Sequence, residues 1–174
     1  MTRALLERIG AAWKELSDLV AKLGPGGLTL AAPDGWAVKD HLVHVGAWEH
    51  SLLGLIEGRN RLAEMGVPHA PRIYVSSSTA ATDDTDAINA AVRKLHENDT
   101  PEQALAYFRE SHAKVIAALG KLSDADLQKP YSHFQPGDAD QKRPVLDWVG
   151  GNTWEHYAEH IGWINQLIES RAAR

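Results

Sequence analysis

Four long stretches of this chain space their apolar residues three and four positions apart, a period that fits a helix buried along one face and not a strand. In the first, Leu5, Leu6, Ile9, Ala12, Trp13, Leu16, Leu19, Val20 and Leu23 recur with charges between them, and Gly24-Pro25-Gly26-Gly27 ends the run. Asp34-Gly35-Trp36 leads into the second, which carries Val38, His41, Leu42, Val45, Trp48, Leu52, Leu55 and Ile56 and fades between Gly58 and Gly66. Thr100-Pro101-Glu102-Gln103 starts the third, with a Thr cap, Pro at the first helical position and Gln three residues after the cap. It continues through Leu105, Phe108, Val115, Ile116 and Leu119. Pro144 opens the fourth, predicted as one helix to about Arg171, in which Gly150 and Gly151 mark close packing or a kink.

Between these runs the sequence predicts less order. Residues 66–83 hold Pro68, Pro71 and Ser76-Ser77-Ser78 and read as a long surface loop. A short helix is expected over Asp86–Glu97 and a single turn over Ser123–Leu127. Residues 129–143 read as a loop with a turn at Pro136-Gly137-Asp138. No segment shows the alternation of a strand. The expected fold is all-α, a four-helix bundle with long connections between helices 2 and 3 and between helices 3 and 4, forming one domain over residues 1–174.

A net charge of −5 gives no basic face for nucleic acid. No apolar run approaches the roughly 18 residues of a membrane span. Arg3, Glu7, Arg8 and Lys14 make the N-terminal segment an amphipathic helix rather than a signal peptide, so the expected location is cytoplasmic. Cysteine is absent, which removes thiolate ligands, a cysteine nucleophile and disulfides together. Any transition-metal site must then draw on His, Asp and Glu, and the chain has nine histidines.

Two of them, His156 and His160, lie one helical turn apart on the last helix, roughly 6 Å along its axis, where two imidazoles can share one ion. His44 on the second helix is the expected third ligand. Three neutral imidazoles would bind one divalent ion, zinc or nickel, and leave coordination positions open for water or a substrate oxygen. Asn152, Glu155, Glu159, Asp40 and Asp147 are candidates to orient the ligands, because ligating histidines usually donate their second N–H to an oxygen. Asn152, Glu159 and His112 are the candidate catalytic residues, and a core histidine with its hydrogen bonds satisfied is the other reading of His112. His41 is expected at the surface or behind the ligands, and Tyr74 and Tyr131 at a substrate mouth. Trp36, Trp48, Trp148, Trp154 and Trp163 are expected in core packing.

Other chemistries fit poorly. His156-Tyr157-Ala158-Glu159-His160 matches the H-x-x-E-H pattern of inverted zinc peptidases, but only Glu169 remains downstream as a further acidic ligand. No G-x-S-x-G occurs, and Gly24-Pro25-Gly26-Gly27 lacks the context of a phosphate-binding loop, so no organic cofactor is indicated.

The run Gly35-Trp36-Ala37-Val38-Lys39-Asp40-His41-Leu42-Val43-His44 resembles the start of the second helix in the DinB/YfiT-like superfamily, where a ligand His follows Trp by eight residues. His156-x-x-x-His160-Ile161-Gly162 resembles that family's second signature. The resemblance implies that His44, His156 and His160 form the family's metal triad. Ala37 stands where the family often has a Ser cap, and Ile161 and Trp163 where many members read Arg and Gln. Glu110-Ser111-His112-Ala113-Lys114-Val115 and Leu122-Ser123-Asp124-Ala125-Asp126-Leu127 are similar to the ClbS/DfsB-type subgroup. Activities in the superfamily include transfer of low-molecular-weight thiols, a thiol-dependent isomerisation and hydrolysis of a reactive cyclopropane genotoxin. The expectation is a metal-dependent hydrolase or transferase acting on a small electrophile, with a low-molecular-weight thiol as co-substrate and detoxification or self-protection as its setting. A non-catalytic small-molecule or metal binder and a purely structural metal site are the alternatives. A homodimer is compatible with a bundle of this size.

Overall fold

Leu5, Ile9, Leu16 and Val20 fall on one side of the first helix, α1 (Thr2–Gly27), and all four are buried. The computed structural model describes residues 1–70, 81–138 and 141–172, apart from the side chains of Pro25, residues 81–84 and Ala172. Helical geometry in α1 is interrupted at Gly24, whose φ of 63° suits a residue without Cβ, so the predicted stop falls where the glycines stand.

The turn before the second helix is tightly made. Ala32 N–H donates to Trp36 O at 2.8 Å, Trp36 N–H to Asp34 Oδ1 at 3.0 Å, and Gly35 takes a φ of 85°. Trp36 is thereby fixed at the entrance to α2 (Val38–Ile56). Ala37 has no side-chain cap to offer, and Asp40 accepts from its backbone N–H at 3.0 Å instead. Helix α2 is buried on almost every side, packing mainly against α5 (Pro101–Leu119). Gly46 permits that approach: a Cβ there would lie 2.8 Å from the Tyr107 ring and 3.1 Å from Ser111 Oγ. Gly46→Ala is therefore expected to destabilise the fold by about 1–3 kcal/mol through overpacking, despite alanine's better helix propensity. Urea denaturation checks this, and an unchanged or raised midpoint contradicts it.

Past α2 the chain forms α3 (Arg61–Glu64), capped by Asn60 accepting from Ala63 N–H at 3.0 Å. The next helix, α4 (Ala81–Leu95), begins before the predicted Asp86 and shortens the expected loop. The rest of that loop, with Tyr74 and Ser76-Ser77-Ser78, lies outside the described residues. Helix α5 has the predicted capping box, Thr100 Oγ1 accepting from Gln103 N–H at 3.3 Å and Gln103 Oε1 from Thr100 N–H at 2.8 Å. One turn, α6 (Asp124–Leu127), follows on a Ser123 cap.

Two expectations need correction. Residues 129–143 hold a helical turn, α7 (Tyr131–Phe134), and a 3₁₀ turn (Pro136–Asp138), fastened by Tyr131 N–H to Arg143 O at 2.9 Å and Val145 N–H to Lys129 O at 2.8 Å. The last long run is two helices, α8 (Val145–Gly151) and α9 (Trp154–Ala172). The Thr153 side chain accompanies this break. Asn152 Nδ2 donates to Trp148 O at 2.7 Å, a carbonyl its own N–H still reaches at 3.1 Å, whereas Thr153 Oγ1 takes Val149 O at 2.6 Å, the carbonyl its N–H would use in a continuous helix. Thr153 N–H turns to Gly150 O, three residues back, at 3.2 Å. Gly150 is also a close-packing position, since a Cβ there would lie 2.7 Å from the Trp154 ring.

The bundle consists of α1, α2, α5 and α9, with α3 and α4 laid against α2. Most buried apolar side chains form one core among these helices, and a smaller cluster around Val43, Met65, Ile88 and Val92 lies where α4 covers α2. Among the described residues there is no strand beyond isolated bridges, and no helix is long and apolar enough to cross a membrane.

Candidate metal centre

Helix α2 contributes His41 and His44, and α9 contributes His156 and His160. His44 Nε2 lies 3.1 Å from His156 Nε2, and His160 Nε2 lies 3.1 Å from the same atom. One ligand atom from each of the three falls within 4.8 Å of the others. Two nitrogens bound at about 2.05 Å to one tetrahedral ion stand about 3.3 Å apart, close to the spacing of His156 from each of the other two rings. The triad named from the sequence is thus brought together from two segments more than a hundred residues apart.

The protonation states suit the same purpose. Burial holds His44 and His160 well below the ordinary imidazole range, helped by the neighbouring imidazoles. It brings His156 down to about 4. His41 is also brought to about 4, with Asp40 and Asp34 opposing the shift. Near neutral pH all four rings therefore offer lone pairs rather than positive charge. An unfolded chain would titrate them near 6.5. Between pH 4 and 6.5 the unfolded state binds more protons, so stability rises with pH in this window and is lost as pH falls through it. The metal-free protein is expected to melt at progressively lower temperature from pH 7 to pH 5, above the range where most carboxylates titrate. A flat profile there contradicts the burial of neutral imidazoles.

The surroundings of the triad differ from the expectation of carboxylate partners. His160 Nδ1 meets His41 Nδ1 at 2.9 Å, so its outer partner is another imidazole, which must accept if His160 Nδ1 carries the proton. The Nδ1 atoms of His44 and His156 are buried with no hydrogen-bond partner among the described residues. Asp40, proposed to orient a ligand, bonds the start of α2 and Lys39 Nζ at 2.8 Å. Glu155 is exposed and does not line the cavity, whereas Asp147 and Glu159 do.

That cavity has a volume of about 860 Å³, ample for a small molecule, and all four histidines form part of its wall. Trp36, Trp48, Trp148 and Trp163 also line it; Trp48, Trp148 and Trp154 pack against the core as expected, whereas Trp36 and Trp163 belong to the cavity wall alone. Trp36 faces His41 at 5.4 Å and His44 at 5.7 Å between ring centroids, and Trp163 faces His160 at 4.7 Å. Of the candidate catalytic residues, Asn152 and Glu159 reach this cavity and His112 does not.

His112 belongs to a second polar cluster that the sequence did not reveal. Glu49 is on α2 and fully buried; its Oε2 accepts from Ser111 Oγ at 2.5 Å, and its Oε1 stands 3.1 Å from His112 Nδ1 and accepts from the Tyr157 hydroxyl. Trp13 stacks on His112 with centroids 4.3 Å apart. Burial and the charge of Glu49 hold the Tyr157 phenol well above its ordinary range, which keeps it a donor. Tyr131, expected at a substrate mouth, is buried, and its hydroxyl accepts from Arg61. Arg61 and Arg143 line the cavity and were also missed.

A solved structure titled "Sibling Lethal Factor Precursor - DfsB" matches this one with a TM-score of 0.70 over 98% of this chain and 96% of that chain. At 12% sequence identity the likeness is one of fold. Comparison with curated proteins finds no match. The family model described as the DinB superfamily matches residues 8–164, nearly the whole sequence, and the chain belongs to that superfamily.

Proposed function

We propose that this protein is a cytoplasmic metal-dependent enzyme that hydrolyses a small electrophile or transfers a low-molecular-weight thiol to it. The observation that carries this reading is the convergence of three neutral imidazoles on one point in the wall of a tryptophan-lined cavity. His44, His156 and His160 would hold one zinc or nickel ion, which supplies Lewis acidity and lowers the pKa of a bound water or thiol towards neutrality. The rest of the work falls to the chain. Trp36, Trp48, Trp148 and Trp163 hold an apolar body and keep bulk water from it. Glu159, on the cavity wall, is placed to accept a proton at its carboxylate. Asn152 donates its amide to Trp148 O, which fixes it at the break between α8 and α9. The likeness to the ClbS/DfsB-type subgroup supports detoxification or self-protection as the setting.

One observation favours a second reading as a binder without turnover: among the described residues, none of the hydrogen-bond partners of the triad is a carboxylate. The two readings separate in one experiment. Zinc-loaded, nickel-loaded and metal-free protein are assayed on epoxides, activated esters and alkyl halides, with and without a low-molecular-weight thiol, alongside His44→Ala. Metal-dependent turnover that His44→Ala abolishes while the helical circular dichroism persists supports the enzyme. Saturable one-to-one binding without turnover supports the binder. Neither, with a large loss of melting temperature in His44→Ala, leaves a structural ion.

A further inference from the structure

Arg61 is only 6% exposed, yet it has no ion-pair partner among the described residues. Its Nε donates to Ser51 Oγ at 3.0 Å and its Nη1 to the Tyr131 hydroxyl at 3.2 Å. The guanidinium carbon lies 5.8 Å from the centre of the Tyr131 ring and 6.0 Å from that of Trp148. Arginine keeps its charge at any ordinary pH and has five N–H donors, so two neutral acceptors leave much of the fork free. Burying such a group without an anion is costly, and aromatic faces offset only part of that cost. Arg143 lies 4.7 Å over the same Trp148 ring. Both arginines line the cavity that contains the triad. Asp34, Asp147 and Glu159 share that wall, and none of them is paired with either guanidinium.

We infer that Arg61 and Arg143, gathered around Trp148, form an anion subsite that takes the carboxylate of an otherwise apolar or aromatic molecule bound in this cavity. The guanidinium fork matches a carboxylate bidentately, and an anion would supply the charge that Arg61 lacks. The tryptophans on the remaining walls suit the apolar body. This deepens the proposed function and rests on it only for treating the cavity as the substrate site.

Isothermal calorimetry with phenylacetate and its neutral counterpart phenylacetamide tests the subsite, using metal-free and zinc-loaded protein. The metal-free wild type is expected to prefer the carboxylate by about 10-fold or more, the scale of one good charge-assisted contact. Arg61→Met and Arg143→Met should each reduce that preference towards parity, and Arg61→Lys, which keeps the charge without the fork, should restore only part of it. If Arg61→Met fails to fold by circular dichroism, Arg61→Lys and the exposed-site variant Arg143→Met decide the matter. Equal binding of the two compounds by the wild type overturns the inference, as does no binding of either. A preference that appears only with zinc and survives Arg61→Lys and Arg143→Met also overturns it, because the ion itself is then taking the carboxylate. A preference in protein that binds no metal leaves the subsite standing and removes the metal reading alone.

Discussion

His156→Ala is expected to reduce bound metal from one ion per chain to nearly none. His156 Nε2 stands 3.1 Å from the Nε2 atoms of both other ligands, so it is the point about which the triad closes. Without it His44 and His160 remain as two imidazoles from different helices, and two ligands seldom hold a divalent ion against water. His41→Ala serves as the comparison. Its hydrogen bond to the triad is to the far nitrogen of His160, at 2.9 Å, and loss of such an outer partner costs roughly 10–100-fold in affinity. The loss in His156→Ala should exceed that range clearly. Competition against a chromophoric chelator gives both affinities, and elemental analysis after dialysis gives the stoichiometry. One tightly held ion per chain in His156→Ala would rule out the three-imidazole site.

How much of this was legible depends on the range of the interaction involved. The long helices follow from local spacing, and the α5 start from a capping pattern complete within four residues. His156 and His160 were identifiable because a separation of four on a helix puts two side chains on one face whatever the tertiary structure. His44 needed the likeness of the segment beginning at Gly35-Trp36, whose physical basis is the turn that fixes Trp36 beside His41 and His44. The break at Asn152 and Thr153 is obscured because the apolar period runs on either side of it, through Val145, Val149 and Ile164, while the Thr153 hydroxyl takes the carbonyl its backbone would use. Trp36 and Trp163 read as core residues because periodicity gives an inward face without telling packed interior from cavity wall. Glu49, Arg61 and the choice between the two readings of His112 were hidden for a different reason. Each is decided by partners on other elements, among them Ser111, Tyr157 and Tyr131, and no local pattern records such pairings.

Glu49→Ala is expected to lower stability by about 3–5 kcal/mol, the usual cost of removing one member of a buried charged network. For a chain of this length that corresponds to a fall in melting temperature of about 6–20 °C. The alanine leaves a cavity at a position with no solvent exposure, and it strips an acceptor from Ser111 on α5 and Tyr157 on α9. Ser111 still has Phe108 O at 2.9 Å, and Tyr157 still has His112 Nδ1 at 3.3 Å, so the loss is less than two orphaned donors would give. Glu49→Gln keeps the volume and one acceptor oxygen, and it should cost less than alanine. Because Tyr157 adjoins His156, the alanine variant should also bind metal more weakly than the wild type, though less weakly than His156→Ala. Calorimetric melting and the chelator competition read the two effects separately. A melting temperature within about 2 °C of the wild type would mean that Glu49 does not tie α2 to α5 and α9. Weakened metal binding with stability intact would instead assign Glu49 to positioning the triad alone.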